Sequence, residues 1–370
     1  MYGCIKSKRE FKALGKKSRK FVKRFIISET PLKVCDNAIF SKEEILSSVV
    51  TASVNLDYLE GNTRVARAFV ECPTADDVFY HLGKMDPYEV AEKMNKALVK
   101  SVRLYRDRNF FPHQVYCALD VHDIPYYGDR KKAPVRGTKR KAGTNFAHSF
   151  ITLNIVENGR RFAVALLPYL PLDDKVELVE KLVMIAEKVI TIKALFMDRD
   201  FPSVEMLLML DRTKVKYLMA VPRFKGVKKL LKRKRKFPFF TEYEMQSSTG
   251  TAKTTLFVVK KKSKDRELKY CYITNMKIES VEDALKFSEL YRIRWGIETS
   301  YRVKKEFRVK TTSRKYVARL LFFSYSVLLY NIWVLCNFLG VEEVVFLGPR
   351  TSAKIIKTIT YLTYCGFFGE

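Results

Sequence analysis

The stretch Leu290-Tyr-Arg-Ile-Arg-Trp-Gly-Ile-Glu-Thr-Ser-Tyr-Arg-Val-Lys-Lys-Glu-Phe307 decides how the rest of this chain is read. As a helix it carries Tyr291, Arg294, Glu298 and Lys305 at successive offsets of three, four and seven residues. At about 100° per residue these side chains fall within an arc of roughly 60°, along roughly 21 Å of helix. Ile293, Ile297 and Tyr301 form a separate apolar stripe that can face a core. One carboxylate flanked by two cations and a phenol suits a site that holds a metal and clamps a phosphate backbone. The same residues also allow a plain ion-paired face. Arg294 with Glu298, and Glu298 with Arg302, are i,i+4 pairs worth a few tenths of a kcal/mol each. The choice depends on the rest of the chain.

Composition narrows it. The 370 residues are enough for two or three domains, or for one core with large insertions. A hydrophobic content of 47% supports a packed interior and excludes general disorder. Lys and Arg number 69 against 40 Asp and Glu, a net charge of +29, for which a polyanionic partner is the simplest reason. With 26 Phe and 20 Tyr, aromatic residues can serve both the core and the stacking of bases. The seven cysteines are scattered without C-x-x-C spacing and only four His are present, which argues against a zinc site. Reduced thiols in an intracellular protein are expected. The basic N-terminus lacks the apolar core of a signal peptide. Leu320–Asn337 runs 18 residues without a charge, but it includes Ser324, Tyr325, Ser326, Tyr330 and Asn331. A helix buried against a sheet is preferred to a membrane span, and no membrane partner is expected.

Along the chain, residues 1–26 are strongly cationic with Phe11, Phe21 and Phe25 interleaved. They read either as a basic arm that orders on nucleic acid or as a solvated amphipathic helix. The pattern from Ser41 to Arg106 is helical: Thr74-x-x-Asp77 opens a short helix through Leu82, and Asp86-Pro87 opens a longer one over Tyr88–Tyr105. The pair is helix-turn-helix-like. From Gln114 the period changes. Strands are predicted over Gln114–Asp120, Ser149–Val156 and Arg161–Tyr169, the last two as a hairpin about Asn158-Gly159. Then follow a helix (Asp174–Val189), a strand (Ala194–Asp198), a helix (Val204–Arg212) and a strand (Lys216–Val221). An interruption at 223–277 begins with a cationic run that includes Lys232, Arg233, Lys234, Arg235 and Lys236. It continues with strand-like pieces at Phe239–Met245, Thr254–Lys260 and Leu268–Asn275.

Two of the predicted strands, Val115–Asp120 and Ala194–Asp198, end in an acidic residue after an apolar run. A carboxylate at the carboxyl end of a buried strand points into the mouth of a sheet, where active sites of mixed α/β folds gather. With Glu298 they make three carboxylates. Such a set suits hard divalent ions, two of which can activate a water and stabilise the leaving oxygen of a phosphodiester.

Asp120, Asp198 and Glu298, with the Y-x2-R-x3-E-x6-K spacing of Tyr291, Arg294, Glu298 and Lys305, resemble the DDE transposases of bacterial and archaeal insertion sequences that carry the YREK signature. The likeness is to the insertion-sequence-four-like superfamily and its archaeal branch. Asp-Arg-Asp-Phe at 198–201 resembles a motif usually written Asp-Arg-Gly-Phe, which leaves Asp198 and Asp200 as alternatives for the second aspartate. Asp120-x-x-Asp123-Ile-Pro-Tyr-Tyr-Gly128 resembles the first-aspartate region. The resemblance covers roughly 114–338.

It implies an α/β fold with a ribonuclease H-like catalytic core, a mixed sheet flanked by helices, with a β-rich insertion and a helical N-terminal domain. The corresponding domains are 1–110 (basic arm and helical DNA-binding domain), 111–340 (catalytic, interrupted by the basic insertion 223–277) and a 341–370 tail. It implies Asp120, Asp198 and Glu298 as catalytic residues and ligands of two Mg²⁺ (or Mn²⁺) ions. Double-stranded DNA would be the substrate, bound by a homodimer in the synaptic complex. Arg294 and Lys305 would grip phosphates and Tyr291 would contact the same strand. Trp295 is either a stacking residue or, as preferred, part of the core. Arg130, Lys131, Lys132, Arg136, Lys139, Arg140 and Lys141 read as a cationic loop touching DNA backbone, and Lys232, Arg233, Lys234 and Arg235 as a second contact. His148 is either a group supporting the site or, as preferred, a structural histidine. The implied activity is cleavage at element ends and transfer of the 3′-hydroxyl ends to target DNA. The alternatives are a ribonuclease H-like nuclease without strand transfer and an inactive DNA-binding descendant.

Overall fold

Alternation of apolar and polar residues beyond Gln114 produces a sheet, and the computed structural model describes it within residues 8–157, 160–234, 236–263, 266–340 and 357–358. Before it come α1 (Lys8–Val22), α2 (Lys42–Asn55), α3 (Leu59–Ala66), α4 (Ala75–Leu82) and α5 (Pro87–Arg106). The start of α4 follows from a reciprocal capping box of Thr74 and Asp77, and that of α5 from Asp86, whose carboxylate accepts from the backbone amides of Tyr88 and Glu89.

The sheet contains β1 (Gln114–Pro125), β2 (Arg136–Lys141), β3 (Thr144–Glu157) and β4 (Arg160–Tyr169). After α6 (Lys175–Glu187) comes β5 (Thr191–Met197), and after α7 (Val204–Arg212) comes β6 (Tyr217–Ala220). Next are α8 (Lys225–Arg233), β7 (Phe239–Ser247), β8 (Gly250–Ser263) and β9 (Arg266–Thr274). The chain then forms α9 (Val281–Leu290), α10 (Trp295–Lys304) and α11 (Tyr316–Gly340). The nine described strands run in the order β2-β3-β1-β5-β6-β9-β8-β7, with β4 also on β3. At the centre, β4-β3-β1 is an antiparallel meander and β5 and β6 lie parallel to β1. This is the mixed, helix-flanked arrangement expected of a ribonuclease H-like core.

One expectation is corrected: the cationic segment after Asp120 is not a free loop, since β1 runs on to Pro125 and Arg136–Lys141 returns as β2 against β3. The region 223–277 is β-rich, as expected. Its β9 pairs with β6, so β7–β9 extend the same sheet, and its leading cations lie on a helix, α8. Buried Cys271, Tyr272 and Ile273 continue the apolar interior across that junction, and the Thr274 hydroxyl donates to the carbonyl of Tyr217 at 2.6 Å. In the cationic N-terminus an amphipathic helix forms: Phe21 and Phe25 are core residues, stacked on each other 5.9 Å apart, while Lys16, Lys17 and Lys20 face outward. The Asn158-Gly159 turn and nearly all of the 341–370 tail lie outside the described residues.

α11 is the apolar stretch. Its most hydrophobic window is 94% buried inside the protein, against β4, α5 and α1. Its polar residues have work there. Asn331 accepts from the backbone amide of Ala163 at 2.9 Å and donates to the carbonyl of the same residue at 2.8 Å. Asn95 of α5 does the same for Leu166, at 2.8 and 2.6 Å. β4 pairs only with β3, so two asparagines supply the partners that its open edge lacks.

Candidate active site

Parallel pairing sets two carboxylates side by side. The last paired residues of β1 and β5 are Ala118 and Phe196, and Asp120 and Asp198 each lie two positions beyond. β5 ends there while β1 continues beside β3, so the strands part and leave a notch. Asp120 is largely withdrawn from water. Its carboxyl is pushed up to about 7, first by burial, then by the charge of Asp198 and, more weakly, of Glu298; Arg294 and Lys304 oppose the shift. Asp200 does not figure among these neighbours and is exposed. Its backbone amide donates to Asp198 Oδ1 at 2.9 Å, which fixes the Asp198 carboxylate in a local turn. The arrangement supports Asp198 over Asp200 as the partner of Asp120.

The stretch 291–307 is not one continuous α-helix. A 3-10 turn spans Tyr291–Arg294, α10 follows, and a second 3-10 turn spans Lys305–Phe307. The tighter turns rotate the ends relative to an ideal helix, so the four motif side chains do not share one exposed ridge. Tyr291 is buried, packs on Phe196 and donates its hydroxyl to the carbonyl of Met197 at 2.9 Å, pinning the end of β5 just before Asp198. Arg294 is also buried, only 8% exposed; its Nη2 donates to Glu298 Oε1 at 3.0 Å, and its Nε has no partner. Glu298 is exposed beside it, and Lys305 lies on the outer surface.

The lysine that faces inward is Lys304, which the sequence reading missed. It is buried, and its Nζ donates to Asn154 Oδ1 at 2.7 Å and lies 4.5 and 5.2 Å from the ring centres of Tyr301 and Tyr330. Asn154 donates in turn to Thr152, which bonds the Tyr301 hydroxyl at 2.5 Å. Thr152 is the residue opposite Asp120 in the pairing of β1 with β3. Burial pushes the Lys304 ammonium down to about 7, against the pull of Asp120. A signal was present: Ile297, Tyr301 and Lys304 recur at four and three residues, so Lys304 occupies the third position of a buried stripe.

Other candidates divide. Trp295, expected in the core, is 64% exposed beside Glu289, Arg292 and Ile293, because Tyr291 takes the place against the sheet. Arg136, Lys139 and Arg140 line a cleft of about 380 Å³ together with Asp120, Asp123, Asp198 and Lys175. Lys131 and Lys132 are exposed on a turn outside that lining, and the side chain of Lys141 lies outside the described residues. Lys232, Arg233 and Lys234 are exposed at the end of α8. α8 follows the carboxyl end of β6, the same edge of the sheet that presents Asp198; Arg235 is outside the described residues. His148 sits opposite Ile124 against Tyr126, and burial, then the charge of Arg319, lowers it to about 4. It is a neutral core histidine and supports no carboxylate.

The donors at the notch are all carboxylate oxygens, which suits Mg²⁺ or Mn²⁺ and not zinc. The proton that Asp120 retains because of its burial and, next, of Asp198 is what a cation between the two would displace. Among the described residues no three His, Cys, Asp or Glu side chains converge closely enough to enclose an ion. Glu298, clasped by Arg294, would have to turn inward to complete the set.

Residues 112–332 match the family described as "Transposase DDE domain". No curated protein matches the chain. Among solved structures the fold is similar to a piggyBac transposase, described as a synaptic complex with hairpin DNA. The TM-score is 0.60 at 13% identity, covering 100% of this chain and 83% of that one.

Proposed function

The chain belongs to the transposase DDE-domain family, and on that premise we propose that it cuts phosphodiester bonds at the ends of an insertion sequence and transfers the freed 3′-hydroxyl ends to target DNA. The observation that carries this reading is the pair Asp120 and Asp198, each two positions beyond the last pairing of parallel β1 and β5, with the Asp120 carboxyl raised to about 7 by burial and by its neighbour. A positive charge beside Asp120 and Asp198 would favour the ionised form that burial and the neighbouring charge disfavour in Asp120.

Asp120 and Asp198 would hold the divalent ions, with Glu298 as the third ligand. Two Mg²⁺ or Mn²⁺ ions would supply an activated water and a stabilised leaving oxygen. The residues of the chain do the rest. Tyr291 holds the end of β5 so that Asp198 faces Asp120. Arg294, which donates to Glu298, would be released if that carboxylate served as a ligand, and its fork would then be free to align a backbone phosphate. Lys305 would contact the same strand from outside, as the YREK branch implies. Lys139 and Arg140 beside the notch, Lys131 and Lys132 near it, Lys232, Arg233 and Lys234 on α8, and the outward cations of α1 would follow double-stranded DNA along one edge of the sheet. A homodimer bridging two ends, in a nucleoid-associated protein, completes the proposal.

The test is a supercoiled plasmid carrying the DNA that flanks this gene, incubated with protein and Mg²⁺, followed by a pre-cleaved end offered to a target plasmid. Cutting with joining supports the transposase. Cutting without joining selects the nuclease, and DNA binding that is indifferent to Asp120→Asn, Asp198→Asn and Glu298→Gln selects the inactive descendant.

A further inference from the structure

Residues directed to opposite faces of the sheet, Asp120 and Asp123, both line the cleft at the notch. Asp120 points to the face covered by α10 and α11, where Tyr301 bonds Thr152 and Phe323 stacks on Phe150. Its neighbour in alternation, Asp123, points to the other face, where it accepts from the Ser149 hydroxyl at 2.6 Å. On that side are two cations that the metal chemistry does not use. The Arg136 guanidinium lies 3.5 Å above the ring centre of Tyr169. Lys175 Nζ donates to the carbonyl oxygen of Asp200 at 2.6 Å and lies 5.2 Å from the ring centre of Phe201.

Each side chain is therefore anchored, and neither makes a salt bridge with a described carboxylate, although Asp123, Asp198 and Asp200 line the same cleft. Burial disfavours the Lys175 ammonium most, the charges of Asp200 and Asp198 favour it, and Arg136 on the same side of the cleft disfavours it, so the two cations repel. Lys175 is moreover the first residue of α6, where the helix dipole favours an anion and Asp174 already caps the amides. Two held, mutually repelling cations at a helix start call for one shared anion.

We propose that Arg136 and Lys175 together seat a single backbone phosphate of the DNA strand passing Asp120 and Asp198, across the notch from Arg294. The inference rests on the DNA-cutting reading above and deepens it, since it gives the strand a hold on each side of the carboxylates. Arg136 supplies the planar fork and Lys175 the point charge.

The test is binding rather than turnover. Full-length wild type, Arg136→Gln, Lys175→Gln, the double variant, and Lys188→Gln at the far end of α6 are titrated with a duplex of the sequence flanking this gene. Titrations run across a range of NaCl without divalent ions. Each single variant should flatten the slope of log affinity against log salt by about 0.9, the contribution of one phosphate. The double variant should flatten it no further, because the two cations share that phosphate, and Lys188→Gln should leave it unchanged. Melting temperatures of the notch variants should equal or exceed wild type, which shows that the fold persists. Unchanged slopes in the single variants, or losses that add in the double variant, overturn the seat. Cleavage by wild type is scored separately. Its absence beside the expected slopes removes the enzymatic reading and leaves the seat standing; its presence beside unchanged or additive slopes does the reverse.

Discussion

α10 and α11 lie against the same sheet and both bury polar groups, yet they treat them differently. In the interior of α11 the buried polar groups are largely matched, the exceptions being Ser324 and, at its first residue, the Tyr316 hydroxyl: Asn331 bonds both backbone groups of Ala163, the Tyr325 hydroxyl bonds Thr30 at 2.8 Å, and Tyr105 donates to the carbonyl of Asn331 at 3.0 Å. Around α10 the buried groups are charged and incompletely matched. Arg294 leaves Nε without a partner, and Lys304 has one hydrogen bond, two aromatic faces and no described carboxylate in salt-bridge range. Satisfied polar groups fix a fold, whereas unsatisfied charges cost stability and persist where a ligand or a reaction uses them. The first helix is built for stability and the second for function.

The sharpest way to break that contrast is at the carboxylates. Asp120→Asn, Asp198→Asn or Glu298→Gln should lower DNA cleavage by about a thousandfold, the order of loss when one electrostatic element of an active site is removed. Chemical denaturation should at the same time find the variants no less stable than wild type. A large loss of stability in Asp120→Asn would mean that the carboxylate is structural.

The pH dependence of stability follows from the raised Asp120 carboxyl. A carboxyl at about 7 in the fold and near 4 when unfolded binds its proton more tightly in the folded state. Its contribution is therefore fully present below about pH 4 and is lost as pH rises toward 7. Without divalent ions, wild type should lose stability relative to Asp120→Asn between those values, by a few kcal/mol at most. Urea melts in chelator at pH 4.5 and pH 8 measure the gap. Divalent binding should weaken as pH falls below 7, because the proton competes for the same oxygen.

Next comes a matched pair of variants. Asn331→Leu should destabilise by about 2–3 kcal/mol, since it leaves both backbone groups of Ala163 unbonded in the interior. Lys304→Met keeps the length of the side chain and removes a buried charge, so stability should hold or rise. Cleavage per folded molecule should then fall about tenfold, with a shifted pH profile, because Asp120 loses the cation that favours its ionised form. Thermal melts paired with cleavage assays across pH separate the two outcomes. If the two variants exchanged effects, the assignment of roles to the helices would be wrong.

How far the chain could be read in advance follows the same division. The positions of Asp120 and Asp198 were legible because an apolar run met by an acid is a local pattern, although only β5 stops there and β1 runs on to Pro125. The capping boxes at Thr74 and Ser280 are local as well, although only the first was read from the sequence. The inward turn of Lys304 had its signal in the stripe with Ile297 and Tyr301, which the motif spacing to Lys305 obscured. The outward placement of Trp295 was not legible, because it follows from a tertiary contact, the docking of Tyr291 on Met197 and Phe196. The union of 223–277 with the main sheet also escaped, because the pairing of β9 with β6 joins residues some 55 apart in sequence, and strand propensity does not name a partner. Lys175 went unnoticed because one lysine in an amphipathic helix carries no signal until the fold sets it across a notch from two aspartates.

The smallest expected effect concerns the exposed side of the same stretch. Trp295 stands at the start of α10, beside Arg292 and one turn before Glu298, with most of its indole in water. An exposed indole next to a segment proposed to grip phosphate offers a face on which a base can stack, worth about 1–3 kcal/mol per base. Trp295→Ala should therefore weaken binding to a duplex with an unpaired terminal base by about 1 kcal/mol and leave a fully paired duplex nearly unaffected. Stability should stay within about 0.5 kcal/mol, as for surface residues generally. Fluorescence gives a direct reading, since the only other tryptophan, Trp333, is buried in α11 and should not respond to DNA. Equal losses on both duplexes would reduce Trp295 to general surface contact. A marked loss of stability would make it a packing residue after all, and the division between a matched α11 and a ligand-facing α10 would then have to be drawn further from the motif.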